Sequence, residues 1–394
     1  MAIELRQVPY QRTPSERIDA FLEANTLETP FVVVDLDVVA ARFRQLAASL
    51  PMAEIFYAIK ANPAPQILEL LVTLGSSFDV ASPAEVDMCL AAGADPSSIS
   101  YGNTVKKRAD IEYAYDRGVR LFAFDCDPEL DKLVECAPEA TLFCRISTDG
   151  GGADWPLSRK FGCSPEMAKL LITRAAEKGH PVGASFHVGS QQRDPAAWQT
   201  ALAQVGEVFA HLRENDITPV LVNLGGGFPG HYVNDVPAVE VYGRTIVDAM
   251  RRSLGDDLPR VFAEPGRYMV ADAGVLQTEV VLVSRRELDD ESRWVYLDCG
   301  VYTGLTEALG ESIKFRIRTP HDGGPTGRVC IAGPTCDSAD ILYERTDYRL
   351  PLALEAGDRV EILSTGAYTT TYSTVGFNGF PALRDYYLPV RDDQ

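Results

Sequence analysis

Lys60 is the residue from which a chemical site can first be argued in this sequence. It follows a short apolar run at residues 55–59 and precedes a Pro-containing stretch at 62–65. Such a run predicts a buried strand whose last residue points from the sheet edge into a loop. A lysine there could be a solvated strand end, or its amine could form a Schiff base with an aldehyde. The stretch by itself leaves both interpretations open.

A glycine run at residues 225–227 is a second candidate, and it could bind phosphate. The sequence from 225 to 230 formally matches G-x-G-x-x-G, but it follows a late predicted strand and Pro229 disturbs the helix start of a dinucleotide site. Backbone N–H groups without side chains can approach an anion closely. A phosphate loop therefore fits better than a dinucleotide site, with a flexible turn as the alternative.

Two further motifs combine with these. His187 ends a predicted strand, and Ser190 follows three residues later. The flat ring could cover a planar cofactor and the hydroxyl could donate to phosphate, although a lone histidine is more often structural. Glu264 and Arg267 could form a simple ion pair. Alternatively, Arg267 binds phosphate through two N–H donors of its planar guanidinium, and Glu264 keeps the ring nitrogen of a cofactor protonated. Together with Lys60, these parts describe a pyridoxal-phosphate site.

The elements that must position these residues alternate between apolar runs and helix-like stretches. Eight apolar runs occur, at 54–60, 77–80, 99–101, 119–124, 141–146, 181–187, 219–223 and 260–264. The helix-like stretches between them include 65–73, 83–91, 165–177, 195–214 and 239–254. This alternation predicts an α/β fold with a (β/α)8 TIM-type barrel. Lys60, Asp79, Arg145, His187 and Glu264 would then lie at the C-terminal strand ends, where such barrels carry their chemistry.

After residue 272 the pattern changes to short β-type runs separated by Gly and Pro. They lie at 276–283, 294–297, 313–317, 328–331 and 360–364. This pattern predicts a small all-β domain, which an early strand near Phe31 could join. We therefore predict an N-terminal segment over 1–36, partly joining the β domain. A cofactor-binding barrel would span 37–274 and a C-terminal β domain 275–394.

Composition limits the class of partner. The formal net charge of −19 argues against binding to nucleic acid or to an anionic membrane, because both would repel the protein. The eight cysteines form no CxxC pair and the five histidines are not clustered, so we expect no metal site. Residues 1–16 contain no apolar secretory core, and no run approaches the ~20 apolar residues of a membrane helix. We expect a cytoplasmic protein.

Seven motifs, in order, make the chain resemble the fold-type III pyridoxal-phosphate decarboxylases of basic amino acids, closest to the bacterial ornithine decarboxylases. The motifs lie at 57–62, 78–82, 186–190, 225–230, 263–268, 333–337 and 366–369. The resemblance covers nearly the whole chain. It implies a barrel joined to a C-terminal β domain, pyridoxal 5'-phosphate as cofactor, and decarboxylation of L-ornithine to putrescine.

The resemblance also implies roles for single residues. Lys60 would carry the cofactor, His187 would stack on its ring and Glu264 would bind its nitrogen, with Asp79 and Arg145 in support. The other cofactor contacts would be Ser190, Gly226, Gly227, Gly266, Arg267 and Tyr368.

For the substrate, the resemblance implies Cys336 as proton donor and Asp337 as partner of the distal amine. Tyr302 would form an aromatic wall, and Glu311 would be a second acid for the same amine. Cys336 and Asp337 would serve the other subunit's site in a homodimer. Lys160 and Asp340 match a pair that bridges the two subunits, although they could also be two unrelated surface charges.

Several alternatives stay open. One methylene separates ornithine from lysine and is worth only about 1–3 kcal/mol, so a dual-specificity enzyme or a specialised pathway enzyme is possible. Diaminopimelate decarboxylases carry Cys-Glu-Ser where this chain has Cys-Asp-Ser at 336–338. Alanine racemases place Arg opposite the ring nitrogen, where this chain has Glu264. A non-catalytic homologue would typically lose parts of the cofactor site, which are present here.

Overall fold

A computed structural model of the protein describes residues 15–156 and 159–391. The prediction about a secretory core at 1–16 therefore falls almost wholly outside the described residues, as does much of the predicted N-terminal segment. The helices of the described part are α1 Glu16–Ala24, α2 Leu36–Ser49, α3 Pro65–Thr73, α4 Pro83–Ala91, α5 Arg108–Asp116, α6 Asp127–Cys136, α7 Pro165–Glu177, α8 Ala197–Glu214, α9 Val239–Leu254 and α10 Arg267–Val270. In this part of the chain, every helix is too short or too polar to cross a bilayer.

The strands fall into two groups and a small two-stranded sheet. Those of the barrel are β2 Ala53–Ala58, β3 Ser77–Val80, β4 Ile99–Tyr101, β5 Leu121–Phe124, β6 Thr141–Ile146, β8 Val182–Phe186, β10 Leu221–Asn223 and β11 Arg260–Ala263. Those of the β domain are β1 Phe31–Asp35, β12 Gly274–Ser284, β13 Arg293–Leu297, β14 Ile317–Arg318, β15 Thr326–Ala332, β16 Ile341–Tyr343, β17 Arg349–Pro351, β18 Arg359–Leu363 and β19 Arg384–Leu388. The small sheet pairs β7 Ala153–Trp155 antiparallel with β9 Ser190–Gln192.

The eight parallel strands close into a barrel in the order β10-β11-β2-β3-β4-β5-β6-β8, and β8 returns to β10. The interior is filled by a separate apolar cluster made of Phe56, Leu121, Ala123, Phe143, Leu221 and Phe262. The outward neighbours of these residues, such as Tyr57 and Val222, pack in the large core under the helices. This alternation follows from the two-residue period of a strand. The predicted barrel is confirmed.

The helices cover the barrel with the apolar faces expected from their spacing. On α2, Val39, Phe43 and Leu46 are buried. Helix α4 begins with a capping arrangement, in which Ser82 Oγ accepts from the Glu85 N–H and Glu85 Oε2 accepts from the Ala81 N–H. Such caps satisfy backbone groups directly after a barrel strand, so the chain can turn at once from strand into helix.

The β domain is a nine-stranded mixed sheet around the long strand β12. The first half of β12 pairs with β1 and β18, and the second half pairs with β13 after a register shift between Val280 and Leu282. Because β1 precedes the barrel in sequence and β12 follows it, the chain enters and leaves the barrel through this sheet. The early strand β1, which contains Phe31, pairs with β12 and β19 of this sheet.

The structure also differs from the predicted elements. The predicted strand 313–317 is reduced to Ile317–Arg318, because residues 306–311 form a 3-10 segment that turns through positive φ at Gly310 and Glu311. Strands β16, β17 and β19 were not predicted. They are only three to five residues long, and pairing with neighbouring strands rather than sequence pattern defines them.

Candidate active site

A pocket opens at the C-terminal end of the barrel strands. It is lined by Ala58, Lys60, Asp79, His187, Ser190, Gly227, Phe228, Glu264, Gly266, Arg267 and Tyr368. Except for Ala58 and Phe228, these are residues that the sequence predicted as cofactor contacts. Tyr368 reaches the pocket from the β domain, where its N–H donates to Ala61 O at 2.8 Å. The structure thus brings together residues that are more than 300 positions apart.

Lys60 lies in the 3-10 turn Ile59–Ala61, two residues beyond the end of β2 and not in the strand itself as predicted. Its carbonyl accepts from Thr371 Oγ1 at 3.2 Å, so the β domain fixes the turn. The side chain is accessible through the pocket but enclosed by protein groups. Burial alone would lower the pKa of Lys60, but Asp79, Tyr368 and Glu264 outweigh it and raise the pKa. The amine is therefore held as a cation among carboxylates.

Asp79, which is buried, and Glu264, which is half-buried, form a pair of acids. Burial raises the pKa of Asp79 well above its ordinary value, and the Glu264 charge raises it further. Burial also raises the pKa of Glu264, although a hydrogen bond from Asn223 Nδ2 to Glu264 Oε1 at 2.5 Å opposes this. Both carboxyls are consequently receptive to a cationic group placed between them.

Asn223 is a residue that the sequence interpretation missed. It closes β10, and its Oδ1 accepts from the Gly225 N–H at 2.8 Å while its Nδ2 holds Glu264. One amide thus fixes both the acid and the start of the glycine loop. Its place at the C-terminal end of a predicted strand was the available signal.

Gly102, just after β4, was also missed. A Cβ at this position would lie 2.1 Å from Asp79 Oδ1 and 3.4 Å from Glu264 Oε1. Any side chain here would displace the acid pair, so glycine at this position is a steric condition for the site. Nothing in the local sequence indicates this, because the two carboxylates arrive from other strands.

His187 follows β8 directly. Burial, followed by the charges of Arg145 and Lys60, holds the pKa of His187 well below its ordinary value. The Gly189 N–H donates to His187 Nδ1 at 3.0 Å, so the neutral ring carries its proton on Nε2. A neutral flat ring at this position suits stacking on a cofactor.

Arg145 lies in β6, next to the pocket and outside its lining. Its guanidinium covers the ring of Phe161, with Cζ 5.1 Å from the ring centroid. Burial lowers the pKa of Arg145, and the charges of Glu264 and Asp79 oppose that shift. The charge of Arg145 is therefore attracted to the carboxyls of Asp79 and Glu264.

Arg267 anchors the other end of the pocket. Its Nη2 donates to Ser190 Oγ at 3.0 Å, and its Nη1 donates to Tyr232 Oη at 2.8 Å. The same two nitrogens form a bidentate pair with Glu307, at 2.5 and 2.6 Å, and both side chains are buried. The fork that we predicted to be available for phosphate is thus already engaged by Glu307, a residue that the sequence interpretation did not identify. It comes from the 3-10 segment 306–311 of the β domain.

The glycine loop reaches the pocket through Gly227, one of the residues predicted to contact phosphate. Gly227 has φ +104°, and a Cβ there would be 2.4 Å from Gly189 O. A Cβ at Gly226 would be 2.5 Å from Glu264 O. The loop therefore packs tightly against the neighbouring strand ends, and only glycine permits this.

The donor set fits pyridoxal phosphate. A lysine amine, a carboxylate, a flat neutral ring and an arginine beside a hydroxyl are arranged around one pocket. Within the described part of the chain, two buried polar atoms of this pocket, Asp79 Oδ1 and Arg267 Nε, have no hydrogen-bond partner. Buried polar atoms normally have partners, so these two are consistent with a ligand-binding site.

Cys336, Asp337 and Tyr302 form a second cluster outside the pocket lining. Cys336 and Asp337 are exposed, and Asp337 lies beside the Tyr302 phenol. Tyr302 also packs against Phe377, with ring centroids 5.1 Å apart. Within one chain, the structure does not place these predicted substrate residues in the lining of the Lys60 pocket.

The structure argues against two predicted roles. The carboxylate of Glu311 accepts from the backbone N–H groups of Glu344, Arg345 and Thr346, so it caps a loop rather than offering a free acid for an amine. Burial would raise the pKa of Glu311, but these bonds hold it at about 2.

Asp340, predicted to bridge to Lys160 of the other subunit, is only 2% exposed. Its carboxylate accepts from the Val301 N–H and from Thr335 of its own chain. A bridge would require Asp340 to leave these internal partners, whereas Lys160 is exposed.

Comparison with known proteins agrees with this geometry. The family model described as "Pyridoxal-dependent decarboxylase, pyridoxal binding domain" matches residues 36–271. A lysine/ornithine decarboxylase of Selenomonas ruminantium is 35% identical over 91% of this chain and 89% of its own length. The ornithine decarboxylase of Schizosaccharomyces pombe is 35% identical over 91% of this chain and 83% of its own length.

The fold is similar to that of solved structures as well. The lysine/ornithine decarboxylase from Vibrio vulnificus, complexed with putrescine, superposes with a TM-score of 0.83 at 31% identity and covers 95% of this chain and 97% of its own. These matches confirm the family that the seven motifs predicted, and with it the fold class.

Proposed function

We propose that this chain, which belongs to the pyridoxal-dependent decarboxylase family, decarboxylates L-ornithine to putrescine. One observation carries the proposal: Lys60, Asp79, His187, Glu264 and Arg267 line a single pocket at the C-terminal end of a parallel barrel. A lysine with carboxylates close to its amine in such a pocket suits a cofactor that is bonded by an amine and tuned at its ring nitrogen.

The cofactor would be held at three points. The Lys60 amine would bind it covalently, Glu264 would receive the proton-bearing ring nitrogen, and Ser190, Tyr368 and Arg267 would surround the phosphate. His187 would cover one face of the ring as a neutral imidazole. Bound pyridoxal phosphate supplies an electron sink for the pair of electrons that remains when carbon dioxide leaves.

The chain's own residues then manage charge and protons. Asp79 and Glu264 keep Lys60 cationic in the free site, so the amine must lose a proton before it acts as a nucleophile. Asn223 orients Glu264, and Gly102 leaves room for both acids. Cys336 would deliver a proton to the α-carbon of the product, and Asp337 would pair with the distal amine.

We place the last two residues in the site of a second copy of the chain. Support comes from their exposure and from the pocket lining, which contains neither of them in one chain. The apolar side chains of Val375 and Phe377 are also exposed beside this cluster, at 71% and 39%. A homodimer with shared sites would cover them and complete both pockets.

Lysine is the second candidate substrate. Two similar proteins are named lysine/ornithine decarboxylases. Since Glu311 caps a loop in this chain, Asp337 is the acid left from the prediction for the distal amine. A single acid without a second fixed partner could accommodate amines at two chain lengths.

The direct test is turnover of purified protein with pyridoxal phosphate. L-ornithine, L-lysine, L-arginine and meso-diaminopimelate are offered separately, and carbon dioxide and amine products are measured. We expect the highest kcat/KM with ornithine. Equal values with lysine would favour the dual-specificity enzyme, and no turnover of any of the four would refute the proposed reaction.

Shared sites are tested by mixing two variants that each lack one group of the site, Lys60→Ala and Cys336→Ala. If each pocket draws on both chains, a mixed dimer has one intact pocket and one lacking both groups. Random reassociation makes half of the dimers mixed, so about a quarter of wild-type activity should return. Activity that stays at the level of the separate variants would show that each chain builds its own site.

A further inference from the structure

Asn378 holds Cys336 at two points. Its Oδ1 accepts from the Cys336 backbone N–H at 3.0 Å, and its Nδ2 donates to Cys336 Sγ at 3.3 Å. The two bonds close a ring that contains the N–Cα–Cβ–Sγ torsion of the cysteine. One amide therefore fixes the direction in which the thiol points.

The orientation of this amide follows from chemistry. A backbone N–H can only donate, so it must face the amide oxygen. The amide N–H2 group is then left to face sulfur, where it donates to a sulfur lone pair. The S–H proton stays free to point away from Asn378, toward whatever lies in front of the thiol.

The loop that carries Asn378 is built to hold it. Asn378 has φ +50°, a left-handed conformation that asparagine tolerates better than most residues. The Gly376 N–H donates to Phe380 O at 2.9 Å across the turn, and Thr374 donates to Tyr302 O from both its N–H and its hydroxyl. The loop is thus anchored to the same cluster that contains Cys336.

We propose that Asn378 is the residue that positions the Cys336 thiol for proton delivery and stabilises the thiolate that this step leaves behind. The inference rests on the proposed function, in which Cys336 protonates the product. In that step the S–H bond breaks and a C–H bond forms at the α-carbon from the electron pair left by carbon dioxide. The S–H electron pair stays on sulfur, where a donated N–H becomes a charge-assisted hydrogen bond.

Two variants separate the parts of this role. Asn378→Asp has the same shape and keeps the oxygen that accepts the Cys336 N–H, but replaces the donor to sulfur by a carboxylate oxygen. Asn378→Gly keeps the left-handed backbone accessible and removes both bonds. Cys336→Ala is the reference for a site without the thiol.

The first readout needs no catalysis. Alkylation of Cys336 by iodoacetamide at pH 8 is followed by peptide mass spectrometry in the cofactor-free protein, with exposed Cys126 as the internal reference. Because thiolate is the reactive form, Asn378→Asp should slow alkylation of Cys336 about tenfold relative to Cys126. An unchanged ratio in both variants would overturn the proposed stabilisation of sulfur.

The second readout is the stereochemistry of protonation. In D2O a fixed thiol should place deuterium at only one of the two prochiral positions of the carbon that was the substrate's α-carbon. Both Asn378 variants should lower kcat about tenfold with little change in KM, and Asn378→Gly should scramble the label. Stereopure product from the Asn378 variants, with scrambling only in Cys336→Ala, would overturn the positioning role of Asn378 alone. Stereopure, undiminished product from Cys336→Ala would overturn the thiol's function as well.

Discussion

Glu307→Gln should make the protein's stability depend strongly on its cofactor. Glu307 neutralises Arg267 through two bonds, and the two side chains are only 8% and 3% exposed. Removing one partner of a buried ion pair typically costs about 3–5 kcal/mol, because the other charge stays buried and unpaired. The variant's amide still accepts one hydrogen bond, so we expect a loss of about 3 kcal/mol in the cofactor-free protein.

Bound phosphate should restore part of this loss. A phosphate near Arg267 offers the negative charge that the variant lacks, whereas in the wild type it must share the guanidinium with Glu307. If about 1.4 kcal/mol is recovered, the variant binds pyridoxal phosphate about tenfold more tightly than the wild type does. The free energies form a closed cycle, so the gain in binding must equal the difference between the two losses in stability.

The assay is unfolding in denaturant with and without pyridoxal phosphate, together with a spectroscopic titration of the cofactor. Inorganic phosphate in place of the cofactor isolates the anion from the bond to Lys60. Glu311→Gln is the matched control, since Glu311 lies in the same 3-10 segment and caps residues 344–346. The free energy of unfolding of this control variant should fall by the same amount with and without phosphate. Weaker cofactor binding by Glu307→Gln would refute the idea that Glu307 and phosphate compete for Arg267. Equal losses of stability with and without phosphate would refute it as well.

Three further outcomes are expected. Gly102→Ala should weaken cofactor binding at least tenfold, because its Cβ would lie 2.1 Å from Asp79 Oδ1, and an unchanged absorbance titration would contradict this. Asp272→Asn should lower the free energy of unfolding at pH 7 by about 2 kcal/mol. Burial alone would raise the pKa of Asp272, but His231 and Arg42 hold it at about 2, so its contribution is present above about pH 4 and disappears as the pH falls toward 2. Chemical unfolding at both pH values measures this, and a variant equally destabilised at low pH would refute it. Glu311→Gln should leave the ornithine-to-lysine ratio of kcat/KM unchanged within about twofold, and a larger change would restore Glu311 to the substrate site.

The architecture and the family follow from the order of apolar runs and motifs along the chain. Eight apolar runs that alternate with helices specify a parallel barrel. Each strand is buried on both faces, and the helices cover the outer face of the strands. The motif residues at strand ends could be assigned to one site, because the C-terminal ends of parallel strands all lie on the same side of a barrel. Strand order alone is enough for this assignment, and a shift of two residues, such as the position of Lys60 beyond β2, does not change it.

The groups that orient or neutralise the charged side chains of the site are set by contacts between distant parts of the chain. Asn223, Gly102 and Glu307 act on residues contributed by other strands or by the other domain, and no local pattern relates them to those partners. The same reason explains why the intrachain bonds of Glu311 and Asp340 could not be foreseen from the sequence. The sequence around an acidic residue is the same whether its carboxylate faces a substrate or caps a loop. Only the positions of neighbouring backbone N–H groups distinguish the two cases.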